Sequence, residues 1–133
     1  MDKILFIINP VAGGGRAKAL VSLIEEKMDK LKREYEIVLT KGPKEAIKLA
    51  EDKVDDFETI VAVGGDGTVN EVARGLINKG KGTLGIIPGG TGNDLAKALN
   101  IPKDPSEALD ILCKGNIKLI DIGRANNYNF LNI

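Results

Sequence analysis

One carboxylate, Asp66, stands among the glycines of Ile60-Val61-Ala62-Val63-Gly64-Gly65-Asp66-Gly67-Thr68-Val69-Asn70-Glu71, where an apolar run breaks into glycines and resumes at helical spacing. Gly64, Gly65 and Gly67 let a backbone turn sharply and approach a ligand, and the first amides of a following helix present donors at the positive end of its dipole. That combination suits a phosphate group. A carboxylate inside such a cradle repels phosphate unless a cation lies between them or a proton has to be removed, so Asp66 implies Mg²⁺-linked or acid–base chemistry. Glycine-rich turns between strand and helix also occur where nothing binds, and this turn alone does not separate the two readings.

Two further loops of the same kind strengthen the ligand reading. Ile86-Ile87-Pro88-Gly89-Gly90-Thr91-Gly92-Asn93-Asp94-Leu95 follows an apolar run and opens a helix, and Asn9-Pro10-Val11-Ala12-Gly13-Gly14-Gly15 follows the first apolar run. Three such loops after three parallel strands meet at one edge of a sheet, the edge at which open α/β sheets bind ligands.

The elements that must carry these loops are legible in the apolar pattern. Lys3 to Ile8, Glu36 to Leu39, Thr59 to Val63 and Thr83 to Ile87 read as strands, the first buried on both faces. Between them, Leu20, Ile24, Met28 and Leu31 define the apolar stripe of a helix starting near Arg16. Pro43 at a first helical position with Glu45 behind it starts another, directing Ala46, Ile47 and Ala50 to the core. Val69, Val72, Ala73, Leu76 and Ile77 form the docking stripe of the helix after Asp66; Glu71 is read on its other side, in the first turn, where a carboxylate also stabilises a helix end without any ligand. A short helix follows from Asn93 to Leu99, and Asp104-Pro105-Ser106-Glu107 supplies cap, N1 proline and N3 glutamate for a last one ending before Gly115. Ile117 to Gly123 and Tyr128 to Ile133, around Asn126-Asn127, read as an antiparallel hairpin. Strands alternating with helices predict a doubly wound, mostly parallel α/β sheet with helices on both faces.

Composition narrows the function classes. A chain of 133 residues is the size of one domain, and 43% apolar with 29% charged residues is ordinary for a globular protein. Nineteen basic residues balance nineteen acidic ones, which gives no electrostatic case for nucleic acid. With no histidine, the usual base of nucleophile triads and the commonest zinc ligand are missing. Cys113 is the only cysteine, read as a small core residue in a reducing environment. Met1-Asp2-Lys3 runs straight into Ile4-Leu5-Phe6-Ile7-Ile8, better read as a buried strand than as a secretory segment, so a cytoplasmic protein is expected.

The loops do not carry the common nucleotide fingerprints. Gly-x-x-x-x-Gly-Lys-Ser/Thr is absent, Lys18 stands where a dinucleotide fingerprint requires glycine, and neither His-Arg-Asp nor Asp-Phe-Gly occurs. Taken together, Asn9-Pro10-x-Ala12-Gly13, then Gly64-Gly65-Asp66-Gly67-Thr68-x-Asn70-Glu71, then Pro88-x-Gly90-Thr91-x-Asn93-Asp94 resembles the catalytic domain of the soluble diacylglycerol kinase and sphingosine kinase superfamily, in the family's order and along the whole chain. The Gly-Gly-Asp-Gly-Thr element is shared with NAD kinases and, approximately, with phosphofructokinases; the Gly-Thr-x-Asn-Asp element after a proline is more particular to lipid kinases.

The resemblance implies a two-domain enzyme in which this chain is the ATP-binding first domain and a β-sandwich for the lipid follows, the hairpin leading toward it. It further implies that ATP is held by Asn9, Pro10, Val11, Ala12 and Gly13, by Thr40 after the second strand, and by Gly64, Gly65, Asp66, Gly67, Thr68, Asn70, Glu71 and Val72. Gly90, Thr91, Asn93 and Asp94 complete the set. Asp66 would be the catalytic carboxylate and hold Mg²⁺ through water, with Asp121 in the same network. The expected cofactors are ATP and Mg²⁺, and the expected partner is a membrane lipid met peripherally. An open strand edge allows a homodimer. Two alternatives stand beside this reading: an NAD kinase-like phosphotransferase, and a nucleotide-binding module without catalysis. The polar set Asp66, Asn70, Glu71 and Asp94 at loop ends argues against the module, because packing alone needs no such groups.

Overall fold

The computed structural model describes residues 3–89 and 93–114. Four strands, β1 (Ile4–Ile8), β2 (Tyr35–Leu39), β3 (Thr59–Gly64) and β4 (Thr83–Pro88), form one parallel sheet in the order β2-β1-β3-β4. Five helices accompany them: α1 (Arg16–Lys30), α2 (Glu45–Lys53), α3 (Asp66–Lys79), α4 (Asp94–Ala98) and α5 (Pro105–Cys113).

Every residue of β1 is buried, which is why Ile-Leu-Phe-Ile-Ile shows no alternation: the strand lies centrally and is covered on both faces. Leu5 and Ile7 pack with Ile60, Ala62 and Ile86 under α2, α3 and α4. On the other face Ile4, Phe6 and Ile8 join Val61, Val63 and Ile87 under α1 and α5. The fold is therefore doubly wound, with helices on both faces, as the alternating pattern predicts. Glycine permits the close contact of α2 with α3, since a Cβ at Gly75 would lie 2.5 Å from the Ile47 carbonyl oxygen.

Some boundaries differ from the sequence reading. Helix α2 begins at Glu45, not at Pro43, because Lys44 adopts a left-handed φ of 67° and turns the chain into the helix. The Glu45 Oε2 accepts the Lys41 N–H at 3.2 Å and braces that turn from inside the helix. Leu31 ends up exposed, as it caps α1 at the point where the helical stripe leaves the sheet. Cys113 is half-buried, its Sγ 3.9 Å from Met28 Sδ, and burial pushes its thiol pKa up, which keeps it an inert packing group. The predicted hairpin and Asp121 lie outside the described residues.

Candidate functional site

The strand order reverses between β1 and β3. From β1 the chain leaves into α1 on one face, and from β3 into α3 on the other, so the two connections diverge and leave a crevice at the carboxyl ends of the strands. All three glycine-rich loops open at that edge.

The first loop is built by Asn9. Its backbone N–H donates to the Val63 carbonyl at 3.2 Å, which ties the end of β1 to the end of β3. Its side-chain Oδ1 accepts the Val11 N–H at 3.2 Å, and its carbonyl accepts the Ala12 N–H at 3.2 Å. Asn9 is thus a turn-former, the structural role open to an Asn before proline. Val11 is 75% exposed at the tip of that turn. A 3-10 turn over Ala12–Gly15 follows, in which Gly13, Gly14 and Gly15 have φ of 62°, 70° and 95°. Three successive left-handed residues favour glycine, which adopts that conformation without the Cβ penalty. Thr40 lies beside this loop: its N–H donates to the Ile8 carbonyl at 2.9 Å and so brings the end of β2 to the same edge.

The second loop is short. β3 ends at Gly64, Gly65 is the N-cap of α3 with no side chain occupying the cap, and Asp66 is already the first helical residue. The first-turn amides are thereby left to a ligand or solvent rather than to a capping side chain. A Cβ at Gly65 or Gly67 would meet nothing within 4 Å, so the loop borders open space. Thr68 is buried, and its Oγ1 sits 2.8 Å from where a Gly64 Cβ would be. The helix start places Glu71 in the second turn rather than the first, where its effect on the helix end is small. Val72 is fully buried in the core under α3 and serves packing.

The third loop is fastened to the second. Gly89 N–H donates to the Gly64 carbonyl at 3.0 Å, and Asn93 Nδ2 donates to the same oxygen at 3.1 Å. Asn93 Oδ1 accepts the Ala96 N–H at 3.2 Å as the N-cap of α4. Asp66 Oδ1 accepts the Asp94 N–H at 2.7 Å. Asp66, Asn93 and Asp94 are therefore brought together, although 27 residues separate Asp66 from Asn93 in the sequence. Gly90 and Thr91 lie outside the described residues.

Among the described residues there is no group of three or more Cys, Asp or Glu placed to hold a metal. Mg²⁺ does not need one, since it is commonly held by one or two carboxylates, substrate phosphates and water. Two oxygens suit that arrangement. Asp66 carries a carboxylate at the loop edge, and Asn70 Oδ1, one helical turn further on, is buried without a hydrogen-bond partner. An orphaned acceptor beside a carboxylate fits a cation or its bound water.

The opposite edge of the sheet holds a cavity of about 390 Å³ lined by Lys3, Val54, Asp55, Asp56, Glu58, Lys81 and Gly82. It lies where β1, β3 and β4 begin and has none of the glycine loops. Lys81 pairs with Asp55 there and holds its carboxyl below the usual carboxylate range through a hydrogen bond and its charge.

Sequence reasoning named the loops but missed how they are joined. Asn before a helix signals an N-cap, yet nothing local to Asn93 announces its donor bond to a carbonyl 29 residues away. Gly89 gave no signal beyond its neighbours.

Comparison with known proteins adds a family to this geometry. The family model for the diacylglycerol kinase catalytic domain matches residues 3–125. Diacylglycerol kinases of Staphylococcus aureus strains MRSA252 and Newman are each 36% identical over 129 residues, covering 96% of this chain and 41% of their own length. The crystal structure of a diacylglycerol kinase from Bacillus anthracis str. Sterne superposes with a TM-score of 0.80 at 34% identity, over 88% of this chain and 41% of that one. The chain thus spans about two fifths of the relatives it matches.

Proposed function

Because the chain belongs to the diacylglycerol kinase catalytic domain family, we propose that it forms the nucleotide-binding half of an ATP-dependent lipid kinase, transferring the γ-phosphoryl group of ATP to a lipid hydroxyl such as that of diacylglycerol. The observation that carries this reading is the bond from the Asp94 N–H to Asp66, which sets the Asp66 carboxylate at the crevice where the strand order reverses.

In the transfer, the hydroxyl oxygen forms a bond to the γ-phosphorus, the bond from that phosphorus to ADP breaks, and the hydroxyl proton leaves to a base. Such a reaction asks for positioning and charge stabilisation more than for covalent help. Mg²⁺ would be held from Asp66 through water, with Asn70 one helical turn on, and would supply neutralisation of phosphate charge; Asp121, outside the described residues, is assigned to the same network by the family resemblance. The amides of Gly13, Gly65 and Gly67 take the phosphate oxygens, with no Cβ to keep them at a distance. Asn9 to Ala12, Thr40 and Thr68 shape the crevice wall, Asn93 and Asp94 border it from the third loop, and Gly90 and Thr91, outside the described residues, are assigned to the nucleotide by the family resemblance. Asp66 is the carboxylate assigned to the reacting end, where it orients the cation and assists loss of the hydroxyl proton. Lipid selection falls to parts of the relatives' length that this chain does not span. No helix among the described residues is long and apolar enough to cross a membrane.

Titration calorimetry of the chain with ATP and Mg²⁺, with NAD⁺ as comparator, tests the reading. Saturable ATP binding that requires Mg²⁺ is expected. Binding of NAD⁺ in preference to ATP moves the assignment to an NAD kinase-like phosphotransferase, and absence of both contradicts a nucleotide site in this chain.

A further inference from the structure

The Gly64 carbonyl accepts two hydrogen bonds, one from the Gly89 N–H at 3.0 Å and one from Asn93 Nδ2 at 3.1 Å. The connection between β4 and α4 thus leaves and returns at a single atom, and that atom is the last carbonyl of β3. Asn93 is 4% exposed and spends both ends of its amide on backbone, Nδ2 on Gly64 and Oδ1 on the Ala96 N–H. One helix further on, Asp104 caps α5 in the same way, its Oδ2 accepting the Glu107 N–H at 3.2 Å, with no second bond to another loop among the described residues. An N-cap requires only an acceptor. The donor half of Asn93 is therefore surplus to capping and acts between loops.

We infer that Asn93 is a positioning residue that locks the third loop to the β3 end, so that Asp66 and the glycine amides of the second loop are held in one fixed arrangement for the phosphates. Its amide contacts backbone and works through Gly64, not through the ligand. The inference rests on the nucleotide reading above for its consequence, while the coupling of the loops stands on geometry alone. The chemistry explains the residue type. Asp at this position would cap α4 equally well but cannot donate to a carbonyl, and Ser would cap without the reach to Gly64. Gln carries the same amide on a stem one methylene longer and misses the cap geometry.

Asn93→Asp and Asn93→Ser keep the cap and remove the bridge, and Asp104→Ala removes a cap remote from the site. Amide hydrogen exchange of Gly89 and calorimetric affinity for ATP with Mg²⁺ are read on each. The expected result is exchange at Gly89 faster by about tenfold and ATP affinity lower by about tenfold in both Asn93 variants, from loss of one buried hydrogen bond, with neither changed in Asp104→Ala. Serine guards against loss of fold from burying a new carboxylate in the aspartate variant. Unchanged Gly89 exchange, or unchanged affinity in a variant that still folds, overturns the inference. If the unsubstituted chain fails to bind ATP, the nucleotide reading falls, and the exchange measurement alone then decides whether Asn93 couples the loops.

Discussion

The two edges of the parallel sheet use polar groups in opposite ways. At the carboxyl edge, polar side chains bond to backbone: Asn9 braces its own turn, Asn93 bridges to Gly64, and Asp66 takes the Asp94 N–H. At the amino edge, charge is paired with charge on the surface, Lys3 with Glu34 at 3.7 Å and Lys81 with Asp55. Exposed pairs of the second kind contribute little and are screened by salt. Side-chain-to-backbone bonds of the first kind fix loop geometry, and a loop whose shape is fixed in advance loses less on binding. The amino edge holds a cavity of about 390 Å³, while on the helix that opens from the carboxyl edge the Asn70 oxygen is buried without a partner.

The largest expected effect sharpens that contrast at Asp66. Asp66→Asn keeps an oxygen to accept the Asp94 N–H but removes the charge, so thermal stability of the chain should stay close to the parent value, while in a full-length protein the proposed phosphoryl transfer should fall by about 10²- to 10³-fold. Turnover within a few-fold of the parent would show that the carboxylate serves only the link to α4. Gly64→Ala comes next. A Cβ there meets Thr68 Oγ1 at 2.8 Å and Thr68 Cβ at 3.1 Å, and denaturant unfolding should show a loss of about 1–3 kcal/mol. Adding Thr68→Ala relieves the contact with the hydroxyl, so the double variant should be less destabilised than the sum of the two singles.

Smaller still, Asp104→Ala removes a cap on α5 and should cost about 1 kcal/mol without touching nucleotide affinity. The amino edge gives the smallest response. Lys81 holds the Asp55 pKa below the usual carboxylate range, so the folded state binds this proton less readily than the unfolded state. The contribution is complete above the ordinary carboxylate pKa and is lost as pH falls through the lower folded value. Lys81→Ala should raise the Asp55 midpoint in an NMR titration and leave stability at neutral pH nearly unchanged. A large loss at neutral pH would break the distinction between the edges.

What was legible in the chain followed from how local each signal is. β1 and β3 could be read because a strand covered on both faces is a continuous apolar run, as in Ile4 to Ile8. The α5 start could be read because Asp104, Pro105 and Glu107 each act within one turn. The α2 start could not, since a lysine gives no hint of the left-handed φ at Lys44 that delays the helix to Glu45. At the site, glycine spacing announced the loops, and three consecutive positive φ angles at Gly13 to Gly15 give the reason for that spacing. The bridges from Asn93 to Gly64 and from Asp94 to Asp66 join residues 28 or 29 apart and depend on sheet register, which no local window contains. Val72, read with the nucleotide set, turned out to be core, since its place on the helical stripe outweighed its nearness to the loop.

The most direct test is a map of backbone amide shifts as ATP and Mg²⁺ are added to the chain. Perturbation should concentrate at the carboxyl edge, at Gly13, Gly65, Gly67, Thr68 and Asp94, and leave Glu58, Lys81 and Gly82 in place. Shifts centred on the amino-edge residues, or none at the glycine loops under saturating nucleotide, would contradict a nucleotide site at the strand-order reversal.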